Sequence, residues 1–309
     1  MTTAAHWGGT SRFADLGGQV HWVDFGGPPD APRVVLVHGL GGSHLNWCLL
    51  APLLTGRLRV AAVDLAGFGL TDPAGRGTTV RDNVALLDRF LREVVGEPAV
   101  LVGNSMGGMV SILQAAAAPE TASGLVLLDP ALPLPLGARP DPLVLSTFLL
   151  YSVPLLGERL LARARGSGTA PQQVRRLLAL VCADPSAVPE DLVGASVELV
   201  RHRAGKPGLD AAFLAAARSL VLVNARRSAY FSAMRSLRMP VYLMSGERDR
   251  LVPVGAARAA AERHPHWRFE TFPGVGHVPQ LEIPGVIAGR LLAWADDVLP
   301  AAGPARPGG

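Results

Sequence analysis

Two rhythms of apolar and polar positions alternate along this chain. Near the start, "SRFADL" and "QVHWVDFG" interleave polar and apolar residues as short strands do, and Gly17-Gly18 between them suits a hairpin turn. "RVVLVHG" follows, a β-branched run that ends at His38-Gly39. A strand apolar on both faces belongs in the middle of a sheet covered by helices. "SHLNWCLLAPLL" then changes to helical spacing, with Ser43 placed to cap it. The alternation repeats: strand "RVAAVDL", glycine-rich loop "AGFGLTDPAGRG", helix "TVRDNVALLDRFLREVV", strand "AVLVGN", helix "MGGMVSILQAAAA", strand "GLVLLDP". Strands alternating with helices predict an α/β fold with a mostly parallel, doubly wound sheet.

At Pro130 this rhythm stops. From about 131 to 238 the chain holds Leu/Ala/Arg-rich helical stretches punctuated by Pro and Gly, such as "PLVLSTFLLYSVPLLGERLLARA" and "APQQVRRLLALVCA". The sheet pattern resumes with "MPVYLMSGERD", helix "VPVGAARAAAERH", strand "WRFETF" and the amphipathic "PGVIAGRLLAWADDVL". The organisation expected is therefore a core over 1–130, a helical insertion over 131–238, the rest of the core over 239–299, and a tail over 300–309. The tail, rich in Pro, Gly and Ala, is expected to be disordered.

With 309 residues, 49% of them hydrophobic and 17% charged, the chain can bury a sizeable core and is too apolar for a disordered one. The net charge is +4, but the arginines are scattered and form no basic stripe with interleaved aromatics, which argues against a nucleic-acid partner. There is no uncharged apolar run of 18 residues and no basic region followed by an apolar stretch at the N-terminus. The expectation is a soluble, cytoplasmic protein without an integral membrane segment. Cys48 and Cys182 lie far apart with no CxxC or histidine spacing, so they are read as buried free thiols and no metal site is expected. Oligomeric state is left open.

Candidate chemistry begins at "VLVGNSMGGMVS", where Ser105 sits between glycines at a strand-to-helix junction. A serine hydroxyl is a weak nucleophile until a histidine takes its proton, and that histidine needs a carboxylate to fix its tautomer. A phosphate loop is the competing reading of the glycines, but the lysine it would want is missing. For the acid, Asp249 follows the strand in "VYLMSGERD"; Asp64, Asp72 and above all Asp129 compete, Asp129 because it too ends a strand after the serine. Asp249 is favoured because its strand directly precedes the one before His277. Of eight histidines, His277 in "FPGVGHVPQ" occupies a loop after the last strand, while His6, His21, His202, His264 and His266 read as structural. Oxyanion donors are expected at the backbone N–H groups of Met106 and Leu40, the latter in a tight "HGLGG" loop that His38 braces; His44 in the same loop is a weaker catalytic candidate.

The segments "HGLGG", "DLAGFGLTD", "GNSMGG", "GERD" and "GVGH" together resemble the α/β-hydrolase superfamily from about residue 19 to 299. The resemblance implies an eight-stranded, mostly parallel sheet flanked by helices, a helical cap inserted after the sixth strand, and neither a metal nor an organic cofactor. Dehalogenases and epoxide hydrolases of this superfamily use an aspartate nucleophile, against which Ser105 argues. The expected activity is hydrolysis of a small, apolar carboxylic ester by a serine esterase of carboxylesterase or lipase type, through an acyl-enzyme. The alternatives are a hydrolase of carbon–carbon bonds in ring-fission products, whose usual tryptophan after the histidine is here Val278, or a low-turnover receptor of the same fold. Phe148, Tyr151 and the leucines near the start of the insertion suggest either an apolar pocket under a lid or packing of the lid onto the sheet. Arg163, Arg175 and Arg201 read as a solvated helix face rather than an anion site.

Overall fold

The computed structural model describes residues 4–73, 75–135 and 141–299. Its strands are β1 (Thr10–Asp15), β2 (Gln19–Gly26), β3 (Arg33–Val37), β4 (Arg59–Val63), β5 (Ala99–Asn104), β6 (Ala122–Leu128), β7 (Val241–Gly246) and β8 (Arg268–Phe272). They form one sheet in the order β1-β2-β4-β3-β5-β6-β7-β8. β1 and β2 form the antiparallel hairpin across Gly17-Gly18, β2 pairs antiparallel with β4, and every other pair is parallel. The expected α/β-hydrolase sheet is what the chain forms.

The β-branched runs are buried on both sides for the reason they suggested. In β3, Val34 and Leu36 join one core, and Val35 and Val37 join the other, because successive side chains point to opposite faces. The first face is covered by α1 (Ala51–Leu54) and by residues such as Leu291 and Trp294 of the last helix, described below. The second is covered by α2 (Val80–Phe90) and α3 (Met106–Ala117). Thr79 caps α2, exchanging hydrogen bonds with Asp82, and one π turn over Leu91–Val95 ends at Gly96. The helix expected over "SHLNWCLLAPLL" is in fact a 3-10 turn, His44–Trp47, and the short α1; Ser43 does cap the turn. Pro52 lacks the N–H that a continuous helix would use, so it starts a new helix instead.

Between β6 and β7 the described residues contain α4 (Pro142–Ser152), α5 (Leu156–Gly166), α6 (Ala170–Val181), α7 (Glu190–Arg203), α8 (Leu209–Ala225) and α9 (Arg227–Ser236), and no strand. The first leucine-rich stretch is divided at Pro154, one of the prolines that punctuate it, and Leu155 takes a positive φ of 64° there. After β7 come α10 (Val254–Arg263), α11 (Pro279–Glu282) and α12 (Pro284–Val298). The tail expected to be disordered lies outside the described residues.

The chain runs from β3 to β4 on one side and from β4 back to β5 on the other, so the strand order reverses at β3. In an open parallel sheet the crevice at the carboxyl ends of the strands flanking such a reversal is where ligands bind. Here those ends are His38-Gly39 and Asn104-Ser105.

Candidate active site

Ser105 stands between β5 and α3 with φ 55° and ψ −120°. A left-handed φ costs a residue with a Cβ about 1–2 kcal/mol. Neighbouring strands hold the turn: the Ser105 N–H donates to Leu128 O (3.1 Å), and the Ser105 carbonyl accepts from Ala131 N (2.9 Å) and Met109 N (3.2 Å). The flanking glycines are required by close approach rather than by dihedral angle. A Cβ on Gly107 would lie 2.0 Å from the Val37 carbonyl oxygen, and one on Gly103 would lie 2.6 Å from that of Gly107. Gly107→Ala is therefore expected to push α3 away from β3, costing about 3 kcal/mol or more in urea denaturation. Gly289→Ala, in the middle of α12 with open space around it, is the control and should gain about 0.5–1 kcal/mol.

The loop after β3 lies directly against this elbow, since a Cβ on Gly39 would stand 3.0 Å from Ser105 Cβ. It is kept tight by Gly42 N donating to Gly39 O (3.0 Å). His38 braces it, with Nδ1 donating to Gly39 O (2.8 Å) and Nε2 accepting from Leu65 N (3.0 Å). Burial lowers the pKa of His38, which keeps the ring neutral and able to accept. Leu40 in this loop and Met106 at the start of α3 both pack into the core on the α3 side of the sheet.

Below the loop, Asp64 gathers four donors. His21 Nδ1 (2.7 Å) and His44 Nδ1 (2.9 Å) donate to it, as do the backbone N–H groups of His44 (2.6 Å) and Leu70 (2.8 Å). Burial alone would push this carboxyl up, but the two histidines outweigh it and hold Asp64 well below the usual carboxylate range. His21, His44 and Asp64 bring metal-ligand atom types together. Their hydrogen bonds to one another account for the arrangement. The network ties the "HGLGG" loop to the "DLAGFGLTD" loop.

His277 lies in the loop between β8 and α11, buried, with Nδ1 donating to Asp249 Oδ2 at 2.7 Å. The other oxygen of Asp249 accepts from Leu251 N (2.7 Å) and Val252 N (3.0 Å), which fixes the carboxylate in the turn after β7. The histidine's backbone is held from two sides. Asn104, the residue before Ser105, donates from Nδ2 to both His277 O (2.9 Å) and Leu128 O (3.0 Å). From the helical segment, Val181 O accepts from His277 N (2.7 Å), and Glu282 bridges Gly276 N with Ala183 N and Asp184 N. Among the described residues the Ser105 hydroxyl has no hydrogen-bond partner. Such links are often open before substrate binds.

Asp129, the rival acid, stands beside Asp249 rather than beside the histidine. Its Oδ1 accepts from Ser245 Oγ (2.8 Å) and Gly246 N (2.9 Å), while its buried Oδ2 has no donor. Burial and the adjacent Asp249 carboxylate push Asp129 well above the usual carboxylate range. The other competitors lie elsewhere: Asp64 in its histidine network, and Asp72 at the surface with Lys206 (3.2 Å).

A model of the alpha/beta hydrolase family matches residues 34–290. The chain belongs to this family. Over 269 residues this alpha/beta hydrolase is 29% identical to a pimeloyl-[acyl-carrier protein] methyl ester esterase of Vibrio parahaemolyticus, covering 84% of this chain and 91% of that protein. It is 27% identical to a 2-hydroxy-6-oxononadienedioate/2-hydroxy-6-oxononatrienedioate hydrolase of Cupriavidus pinatubonensis, covering 89% and 91%. It is also 28% identical to the dihydrolipoyllysine-residue acetyltransferase component of an acetoin cleaving system from Pseudomonas putida, covering 91% of this chain and 68% of that one.

Some residues that shape the site in this hydrolase were not singled out from its sequence. Asn104 reads as the end of a strand, and only its position directly before the elbow serine hints at a tether. Glu282 carries no signal until the fold brings the segment after α6 to it. Cys48 and Cys182 are free and buried, as expected, with thiols pushed up to about 12 chiefly by burial. Arg163 and Arg201 are exposed, and Arg175, also exposed, makes a loose surface pair with Glu190 (3.4 Å). A cavity of ≈ 540 Å³ lies between Thr78, Asp82 and the start of α8; none of its lining residues belongs to the elbow or the His277 loop. No helix of the described residues is long and apolar enough to cross a membrane.

Proposed function

We propose that this alpha/beta hydrolase cleaves carboxylic esters of small apolar molecules through an acyl-enzyme, with Ser105, His277 and Asp249 as its triad and 131–238 as its cap. The observation that carries the reading is the His277–Asp249 hydrogen bond of 2.7 Å in a loop tethered by Asn104, the residue preceding Ser105. In this mechanism Ser105 Oγ attacks the ester carbonyl carbon while His277 Nε2 takes its proton. Asp249 keeps Nδ1 protonated and stabilises the imidazolium. The carbonyl oxygen becomes an oxyanion, held by the N–H groups of Leu40 and Met106 in the crevice where the strand order reverses. Collapse of this intermediate breaks the C–O bond, and the imidazolium protonates the leaving alcohol. Water, deprotonated by the same histidine, then attacks the acyl carbon and frees the acid and Ser105.

The ester reading is further supported by the Vibrio relative, whose name states an ester bond. A second reading, hydrolysis of a carbon–carbon bond beside a ketone, has its own support in the Cupriavidus relative. Val278 is buried and supplies no indole next to the histidine. The two separate by assay. Repeated turnover of a p-nitrophenyl ester series, with no consumption of a 2-hydroxy-6-oxo-dienoate, is the expected result. Consumption of the dienoate with ester turnover slower by about a hundredfold or more would replace the ester reading with the carbon–carbon one. No turnover of either would favour a binding protein.

A further inference from the structure

Six leucines at the start of the helical segment, Leu143, Leu145, Leu149, Leu150, Leu155 and Leu156, are exposed. Residues 142–157, "PLVLSTFLLYSVPLLG", contain no charged side chain. Seven of the twelve large hydrophobic residues exposed among the described residues lie between 143 and 156. On α4, Leu143, Leu145, Leu149 and Leu150 face outward, while Val144, Phe148 and Tyr151 turn inward, buried or half-buried. A surface helix ordinarily shows polar residues to water on that outer side. Here the outer side carries four leucines and Ser146, whose hydroxyl is turned back to donate to Leu143 O (3.0 Å). At the turn into α5 the strained Leu155 is the most exposed of the seven, at 72%, flanked by Val153 and Leu156.

The charge bordering this patch that stays outside ion pairs is positive. The acidic residues flanking it are both paired away, Asp141 with Arg250 (2.9 Å) and Glu158 with Arg218 (3.0 Å). Arg159 and Arg163, one turn apart on α5, stay exposed next to the leucines. An outward apolar face bordered by cations is complementary to a surface that is apolar within and anionic at its edge. An 11-residue α4 is about 16 Å long, too short to span a bilayer core of about 30 Å but long enough to lie in its interface.

We propose that the α4–α5 hairpin docks this protein on an anionic phospholipid surface, with Leu143, Leu149, Leu150 and Leu155 entering the acyl region and Arg159 and Arg163 meeting the phosphates. The inner side of the same hairpin leads to the crevice. The Tyr151 ring meets Phe213 of α8 edge-on at 5.8 Å, and Phe213 lies against Gly41 of the loop that also carries Leu40. A docked hairpin therefore places the site within reach of esters dissolved in the membrane. That consequence rests on the proposed function; the docking itself does not.

Docking is tested by sedimenting the full chain with vesicles of phosphatidylcholine alone and of equal parts phosphatidylcholine and phosphatidylglycerol, without any assay of turnover. The wild type is expected to co-sediment with the anionic vesicles and to be released by salt. Leu149→Ser/Leu155→Ser should weaken that binding at least about tenfold with an unchanged unfolding midpoint, because both side chains are already in water. Arg159→Gln/Arg163→Gln should remove about tenfold of the preference for anionic over neutral vesicles. Absence of binding to either vesicle overturns the proposal. Equal binding to both overturns its electrostatic part. A wild-type dimer in solution that the leucine variant converts to monomer, without vesicle binding, would assign the patch to a second copy of the chain. Loss of ester turnover in any of these variants toward a water-soluble substrate would bear on the proposed function, not on docking.

Discussion

Ser105→Ala is expected to lower kcat for a p-nitrophenyl ester at least about a thousandfold, with little change in KM and none in the unfolding midpoint. The three parts of that expectation have separate causes. Alanine keeps the Cβ and hence the same backbone cost at φ 55°, and the hydrogen bonds that residue 105 itself makes all come from its backbone atoms. Folding should therefore not register the change. Ground-state binding depends on the pocket and is nearly untouched, so KM stays. Only the step in which the hydroxyl becomes a bond to the acyl carbon is lost, and the activity left above the uncatalysed rate is what the proposed oxyanion donors and binding supply without a nucleophile. A variant as active as the wild type, in matched amounts of folded protein, would remove Ser105 from the mechanism and the acyl-enzyme with it.

What the sequence disclosed, and what it hid, follows from how local each feature is. β3 and β5 are legible because burial on both faces leaves a β-branched run without polar breaks, and the glycines around Ser105 are legible because backbone approaches of 2.0 to 2.6 Å admit no side chain. The outward direction of the leucines on α4 was not legible. Periodicity reports which residues are apolar, and with an apolar residue on every side of the helix it has no face to choose. The tethering of His277 by Asn104 and Glu282 joins residues far apart in sequence, which no spacing rule records. The two acids at the ends of β6 and β7 were ordered by chain position alone. In the structure it is the hydrogen bond from His277, made to Asp249 while Asp129 accepts from Ser245 and Gly246, that tells them apart.

That difference gives the second large effect. Asp249→Asn should cost about 10³–10⁴-fold in kcat, whereas Asp129→Asn should stay within about tenfold of wild type. At 249 an amide nitrogen facing His277 Nδ1 offers a donor to a donor, so the ring would turn to its other tautomer and present N–H rather than a lone pair to Ser105. At 129 the amide copies the state the carboxyl already has. Its oxygen can accept from Ser245 and Gly246, and its nitrogen takes the place of the buried Oδ2, which accepts no hydrogen bond. Stability separates the pair further. Because the Asp129 pKa is raised in the folded protein, the native state keeps a proton that the unfolded chain releases above about pH 4. This residue's contribution to wild-type stability is therefore full below that pH and is lost as pH rises toward the folded value. Asparagine has no proton to lose, so the stability of Asp129→Asn relative to wild type should increase from pH 4 to pH 7 in urea titrations. A relative stability flat in pH, together with a thousandfold loss of kcat at 129 and not at 249, would make Asp129 the acid of the triad and leave Asp249 as its support.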